Sequence, residues 1–318
     1  MKRIGNIFQK IVSMENLELA DIIARKGKSG QYGIKMHDRN RKANIEKLHQ
    51  DLVSGSFRTS QYVTFKVYEP KEREVYRLPY YPDRIVHHAI MNVLEPVFVA
   101  NFTADTYSCI KNRGIHAAAR KVIAALRDQD NTRYCLKLDV KKFYPTIDHD
   151  VLKAMLRRKF KDSQLLNLLD EIIESADGLP IGNYLSQYFA NFYLSGLDHW
   201  LKEEKRIRYY FRYADDLVIL SGSKEQLHTL RLEIDQYLTS IKLQMKGNYQ
   251  VFPVEARGLD FVGYRFYHTH VLLRKSIKKN FARAIARRKN SKVIASYNGW
   301  AKHCNSGNLM KKLLNEKV

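Results

Sequence analysis

At 318 residues, with 45% hydrophobic side chains, the chain can bury one large core or two to three subdomains, which excludes a disordered polymer. A formal net charge of +22 favours a polyanionic partner, and twenty Tyr and fourteen Phe, whose rings can stack on bases, favour nucleic acid over an acidic membrane surface. Three scattered cysteines (Cys109, Cys135, Cys304) without ligand spacing exclude a disulfide framework and a zinc site, and no 18-residue apolar run or long apolar leader points to a membrane, so a soluble cytoplasmic protein is expected.

Residues 1–55 mix helical patterns with Lys and Arg, ending on RKANIEKLHQDLVSG at a glycine. Ser56 to Tyr76 reads as a β-hairpin turning at EPKE around Pro70. Pro82-Asp83 opens a helix whose apolar stripe (Ile85, Val86, Ala89, Ile90, Val93, Leu94) is expected to stop at Pro96. YSCIKNRG then presents Lys111 and Arg113 in a loop before a helix from Ile115 to about Leu126. RYCLKLDV alternates, with Tyr134, Leu136, Leu138 and Val140 on one face and Lys137 and Asp139 on the wetter one. A helix after Asp148 carries Val151, Leu152, Met155 and Leu156, and another, capped near Ser186, follows GLPIGNYLSQ. FRYADDLVILSG reads as a hairpin, with a helix after it bearing Leu227, Leu230, Ile234 and Leu238. LDFVGYRFY is strand-like, and from Ser276 onward the pattern is helical and basic. From His270 to the end there are thirteen Lys or Arg against one acid, Glu316. Mixed, non-alternating elements of this kind predict an α+β core with helical appendages.

Asp215 and Asp216 are like charges side by side in a turn between apolar strands, a costly placement unless a cation compensates it. A solvated Asx-type turn is the ordinary alternative. Asp139 ends a strand 76 residues earlier; if that strand abuts the hairpin, three carboxylates meet at one sheet edge. Two Mg²⁺ ions would relieve their repulsion, and two such ions, about 3.5–4 Å apart, clamp an in-line phosphoryl displacement.

In chain order, LDVKKFYPTIDH, GLPIGNYLSQ, YADD and LDFVGYRFY resemble the palm motifs of reverse transcriptases, over roughly Arg77 to Phe266. SYNGWAKHCNSGNL is similar to the thumb of intron- and retron-type bacterial enzymes. The resemblance implies a right-hand polymerase: a basic helical N-terminal region over 1–55 and fingers over 56–133. It places an α+β palm of antiparallel sheet plus helices over 134–268, with finger-side helices at about 151–178, and a small basic helical thumb over 269–318. It places Asp139 and Asp215 as principal ligands of two Mg²⁺ ions, with Mn²⁺ as a substitute, Asp216 as the supporting acid, and the Val140 carbonyl on one ion. Tyr144 falls where the family sets a bulky ring under the incoming sugar, excluding a 2′-hydroxyl; Phe143 is its neighbour on the other face and reads as core. Lys246, in KLQMKGNYQ, matches a lysine beside the departing pyrophosphate, where it could donate a proton; a solvated lysine is the alternative. Arg77 and Arg84 bracket LPYYPD where the fingers meet the triphosphate, in a spacing that leaves open which one acts. Lys111 and Arg113 fall on the template side. Gly263 and Tyr264 belong to a primer-gripping hairpin, with Gly263 letting backbone approach the strand. Arg274, Lys275, Lys278, Lys279, Arg283, Arg287, Arg288 and Lys289 would hold the duplex.

IGNYLSQ departs from retroviral, retron and intron relatives, which usually carry glutamine at Ile181 and proline at Gln187. The pattern looks like that of the reverse transcriptases of diversity-generating retroelements, which misincorporate opposite template adenine and so diversify a target gene. Ile181 offers shape alone near the nascent pair, and a site lacking a polar partner loses a source of discrimination; simple packing is the alternative. The resemblance further implies dNTPs, a structured template RNA, an RNA/DNA hybrid and a small basic oligomeric accessory protein, in a bacterial, phage-infected or archaeal cytoplasm. The chain ends soon after the thumb signature, so no ribonuclease H, endonuclease or integrase domain is expected. An intron-, retron- or phage-defence-type reverse transcriptase, and an RNA-binding maturase-like module, stand as alternatives.

Overall fold

The computed structural model describes residues 3–68, 72–287 and 290–315. Four helices come first: α1 (Phe8–Val12), α2 (Met14–Ala24), α3 (Tyr32–Asp38) and α4 (Arg41–Val53). Ser13 caps α2 by accepting from the Asn16 N–H at 3.3 Å, and α4 ends before Gly55, whose φ of 73° lies in the left-handed region. Strands β1 (Val63–Val67) and β2 (Arg73–Arg77) pair antiparallel, Val63 opposite Arg77; the expected turn at Glu69–Lys71 lies outside the described residues. The hairpin begins later than Ser56 because the Thr59 and Ser60 N–H groups donate to the Glu171 and Asp83 carboxylates, not to a neighbouring strand.

There follow α5 (Ile85–Asn101), α6 (Ile115–Ala125), β3 (Tyr134–Asp139), α7 (His149–Lys159), α8 (Ser163–Glu174), α9 (Tyr184–His199), β4 (Tyr209–Tyr213), β5 (Asp216–Ser221) and α10 (Lys224–Ser240). The chain closes with β6 (Gln250–Pro253), α11 (Val254–Arg257), β7 (Leu259–Phe261), β8 (Tyr264–Phe266), β9 (Val271–Leu273), α12 (Lys275–Ala286), α13 (Ser291–Ala301) and α14 (Gly307–Asn315). Arg288 and Lys289, expected in the duplex-holding face, lie outside the described residues.

The chain divides into two compact units, each built from three stretches. The first comprises Met1–Phe102, Lys142–Gly196 and Ile241–Leu243. Here Pro96 does not stop α5; the helix runs through it to Asn101. One ladder bond is lost at a proline, but continuing buries Phe98 completely, with its ring 5.4–6.2 Å from those of Phe160, Phe189 and Phe192. Ser186 is likewise not a cap: α9 starts at Tyr184, after a tight turn at Gly182, and Ser186 is buried inside it. Asp148 does cap α7, accepting from the Val151 N–H at 3.0 Å, and Leu152 and Leu156 are its fully buried positions.

The second unit comprises Thr103–Lys141, Leu197–Ser240 and Gln244–Val318. Its centre is an antiparallel sheet in the order β4-β5-β3-β6. Residues opposite one another share a face, so Cys135, Lys137 and Asp139 align with Leu220, Val218 and Asp216, while Leu136 and Leu138 align with Ile219 and Leu217. The face of the acids is therefore not wet along its length: Cys135, Val218, Leu220 and Phe211 pack there with Ala118, Ala119 and Val122 of α6 and with Phe261, Tyr264 and Phe266. Its end, at Lys137 and Asp139, opens into a cavity. α10 packs along β3, β5 and β6 through Leu227, Leu230, Ile234 and Leu238. LDFVGYRFY forms the tight hairpin β7–β8, turning at Val262 and Gly263 (φ 40° and 88°), and β9 completes a three-stranded sheet. The strand β6 was not legible in KLQMKGNYQVFP, where glycine, asparagine and proline interrupt the alternation.

Candidate active site

The register that sets Asp139 opposite Asp216 brings the expected acids to one end of the sheet, on its two inner strands. Between β4 and β5 the chain turns on Ala214 and Asp215 alone, with Ala214 at φ 53°, and the Asp215 carbonyl accepts from the Val140 N–H at 3.3 Å. Burial, then the charge and hydrogen bond of Asp139, push the Asp215 carboxyl up to about 6. Burial also raises Asp216 to about 6, against the opposing pull of Lys137. Asp139 and Asp215 thus face each other as a like-charged pair. Asp216 turns to Lys137, whose ammonium lies 3.3 Å from its Oδ2 and donates to the Asp260 carbonyl at 2.5 Å. Lys246 is partly exposed and paired: its Nζ meets Asp139 Oδ1 at 2.5 Å and its N–H donates to the Asp139 carbonyl.

Among the described residues no three His, Cys, Asp or Glu side chains converge as a metal cage. The donor set nonetheless fits a hard cation that keeps water and takes further oxygens from a substrate: two facing carboxylates, and a buried Oδ1 of Asp216 with no hydrogen-bond partner. Val140 is itself buried at this end of the sheet. Beside the acids is a cavity of about 320 Å³, lined by Lys137, Asp139, Arg257, Asp260, Arg265 and Arg274 among others. Lys137, Arg257 and Arg265 were not singled out as site residues by the sequence; a cationic side chain, whether on a strand (Lys137, Arg265) or ending the short α11 (Arg257), carries no local signal of what passes above it.

Arg274 holds Asp260 through Nε at 2.7 Å. Gly263 does allow a close approach, but the group that fills the space is the Trp300 ring, 2.2 Å from where a Cβ would stand. Tyr264 is a correction: it is fully buried under Trp300, with its hydroxyl 3.1 Å from the Trp300 carbonyl and from His116 Nδ1, and leaves no surface for a strand. Arg113 donates to the Thr103 carbonyl at 2.8 Å, whereas Lys111, Lys278 and Lys279 are exposed.

The first unit gathers a second set. Arg77, Arg84 and Gln187 line one cavity of about 650 Å³, together with Lys28, His88 and Tyr184, which sequence reasoning missed. Ile181 is beside this set by its backbone: its carbonyl accepts from the Tyr76 N–H at 2.7 Å, next to Arg77. Phe143 is buried, as a core residue, and packs edge-on against half-buried Tyr144 at 5.6 Å. No helix among the described residues is long and apolar enough to cross a membrane.

Residues 69–266 match the family model described as reverse transcriptase (RNA-dependent DNA polymerase). The chain is similar to protein YkfC of Escherichia coli K12, 26% identical over 270 residues that cover 70% of each chain. It is similar to the retron Ec73 reverse transcriptase of Escherichia coli, 27% identical over 191 residues, covering 54% of this chain and 58% of that one. Telomerase from Candida tropicalis, solved with a fragment of telomeric RNA, superposes with a TM-score of 0.53 over 84% of this chain and 58% of that one. At 11% identity that likeness shows the fold alone, a right-hand polymerase. The chain thus spans a little over half of the retron enzyme and of the telomerase chain.

Proposed function

Because the chain belongs to the reverse transcriptase family, the RNA-directed DNA polymerases, we propose that it extends a 3′-hydroxyl with dNTPs along an RNA template, using divalent metal. The observation that carries this is the pairing of Asp139 with Asp215 at the end of a sheet, beside a cationic cavity. In this reading Asp139 and Asp215 hold two Mg²⁺ ions, or Mn²⁺ in their place, with Asp216 and the Val140 carbonyl in support. When bound, such ions activate the attacking hydroxyl and steady the leaving oxygen. In the same reading Lys246, whose ammonium meets Asp139, passes a proton toward departing pyrophosphate. Arg77 and Arg84 take the triphosphate, Tyr144 screens the sugar, and Lys111, Arg274, Lys278 and Lys279 follow the nucleic-acid backbone. Residues 56–133, 134–268 and 269–318 serve as fingers, palm and thumb, behind the basic region 1–55.

The finer reading is a diversity-generating reverse transcriptase, error-prone opposite template adenine and serving mutagenic retrohoming of a variable gene. It would work in a cytoplasm with a structured RNA and a small basic oligomeric partner. Its support is the pattern Ile181 to Gln187, in which no polar side chain stands at position 181. The likeness to a retron enzyme favours the retron or intron type as the second reading. Primer extension on RNA with Mg²⁺ or Mn²⁺, with and without native RNA and accessory protein, tests the activity, and Asp215→Ala is expected to abolish it. Sequencing the cDNA of wild type and Ile181→Gln tests the subtype: fewer errors opposite adenine are expected in the variant. Equal, low error rates in both would remove it.

A further inference from the structure

On the face of β4 opposite the acids lies Arg212, fully buried and the largest side chain so placed among the described residues. Its Nε and Nη2 fork onto Asp198, in the last turn of α9, at 2.7 and 2.5 Å. The same carboxylate accepts from the Tyr210 hydroxyl at 2.6 Å and the Thr106 hydroxyl at 2.9 Å, so a charge taken out of water is matched on every side. The third nitrogen, Nη1, does something an ordinary buried ion pair does not require. It donates to the Ala214 carbonyl at 3.0 Å, two residues along, inside the turn that carries Asp215.

Ala214 is left-handed, a conformation that crowds the Cβ of any residue but glycine. A turn of this kind persists only where its surroundings hold it. The hold here is rigid on both sides. The Arg212 N–H donates to the Asp105 carbonyl at 2.9 Å and its carbonyl accepts from the Tyr107 N–H at 3.0 Å, so the backbone is fixed as well as the guanidinium. A planar, forked cation can bind a carboxylate along one edge and a carbonyl along the other; an ammonium has no such fixed geometry.

We propose that Arg212, anchored by Asp198, is the positioning residue of the YADD turn: it clamps the Ala214 carbonyl and thereby holds Asp215 facing Asp139, so that the two carboxylates can share bound metal. The proposal rests on the reading of Asp139 and Asp215 as the metal-carrying pair. It differs from a purely structural role, in which the network stabilises the unit and nothing more.

Two variants separate these roles. Arg212→Lys keeps a charge against Asp198 and loses the clamp. The replacement Thr106→Val/Asp198→Leu/Tyr210→Phe/Arg212→Met removes the polar network as a whole, an exchange that buried ion pairs often survive without loss of stability. The readouts are the urea midpoint, Mn²⁺ binding to the protein alone by electron paramagnetic resonance, and primer extension. For either variant we expect an urea midpoint near wild type, Mn²⁺ affinity lowered at least about tenfold, and extension lowered about a hundredfold. A folded variant with wild-type Mn²⁺ affinity and extension would overturn the proposal. Should the fourfold replacement fail to fold, Arg212→Lys decides alone. Asp215→Ala runs alongside: if it also binds Mn²⁺ and extends primers normally, the reading of the site has failed and not the role of Arg212.

Discussion

Lys137 lies one period-two step before Asp139 on the same face of β3, and its single ammonium joins the carboxylate of Asp216 to the backbone of β7. Removing it would leave a half-buried carboxylate whose buried Oδ1 already lacks a partner, in the company of Asp139 and Asp215. Lys137→Met is therefore expected to cost about 1–3 kcal/mol in stability and to lower primer extension about tenfold or more, while Lys137→Arg keeps most of both. Urea unfolding beside single-nucleotide extension checks this; a Met variant with a wild-type rate would show that Asp216 needs no cation from β3. Alternation alone made it legible that Lys137 and Asp139 share a face. What it could not give is the passage of β7 over that face, because the pairing of a carbonyl at Asp260 with a side chain 123 residues earlier leaves no trace in local pattern. The same limit hid Trp300 behind Gly263. Glycine at that position announces a close approach, but not by what.

Among the elements, β2 and the loop ahead of α9 are held as one piece. The Ile181 carbonyl takes the Tyr76 N–H, and Gly182, at φ 119°, comes so near that a Cβ would stand 2.3 Å from the Tyr76 carbonyl. Gly182→Ala must therefore push β2, and Arg77 at its end, away from the loop. On the proposed reading its KM for dNTP rises about tenfold with a smaller change in primer–template affinity; an unchanged KM would separate this clamp from nucleotide binding. α5 carries a different consequence. His87 is buried with Nε2 unpartnered, and burial, then the charges of His88 and Arg84, push it down to about 3. Unfolded, it returns to an ordinary value near 6.5, so between those values only the unfolded chain holds the proton. Its contribution to stability is complete above about pH 6.5 and is lost as pH falls toward 3, at up to about 1.4 kcal/mol per pH unit. The urea midpoint should drop between pH 7.5 and 5, and His87→Leu should flatten that drop; an equal drop in the variant would assign it to other groups. The stripe of α5 was plain in the sequence, yet the stop at Pro96 was not real, since a local rule about one lost hydrogen bond could not weigh the ring of Phe98 beyond it.

For the whole molecule the charge is uneven: +12 of the +22 lies in the last 49 residues. The expectation of a helical, basic end was legible from composition and spacing, and α12 buries Phe281, Ala284 and Ile285 while Lys278, Lys279 and Arg283 stay exposed. The grouping of the chain into compact units was harder to see, because each draws on three separate stretches and follows contacts that no contiguous window contains. A surface that neutralises phosphates releases counterions, so log affinity falls linearly with log salt, by about 0.9 per phosphate on a duplex. Lys278→Gln/Lys279→Gln/Arg283→Gln is accordingly expected to lower that slope by about 2–3 on a primed RNA and to raise the KM for primer–template. The control is Lys42→Gln in α4, whose side chain is 92% exposed and pairs only loosely with Glu46 at 3.9 Å. Removing a charge there alters the long-range field but, on this reading, no phosphate contact, so the slope should stay within about 0.3 of wild type. If, charge for charge, both variants reduce the slope alike, attraction comes from the field of the entire chain, and the exposed face of α12 has no special claim on the duplex.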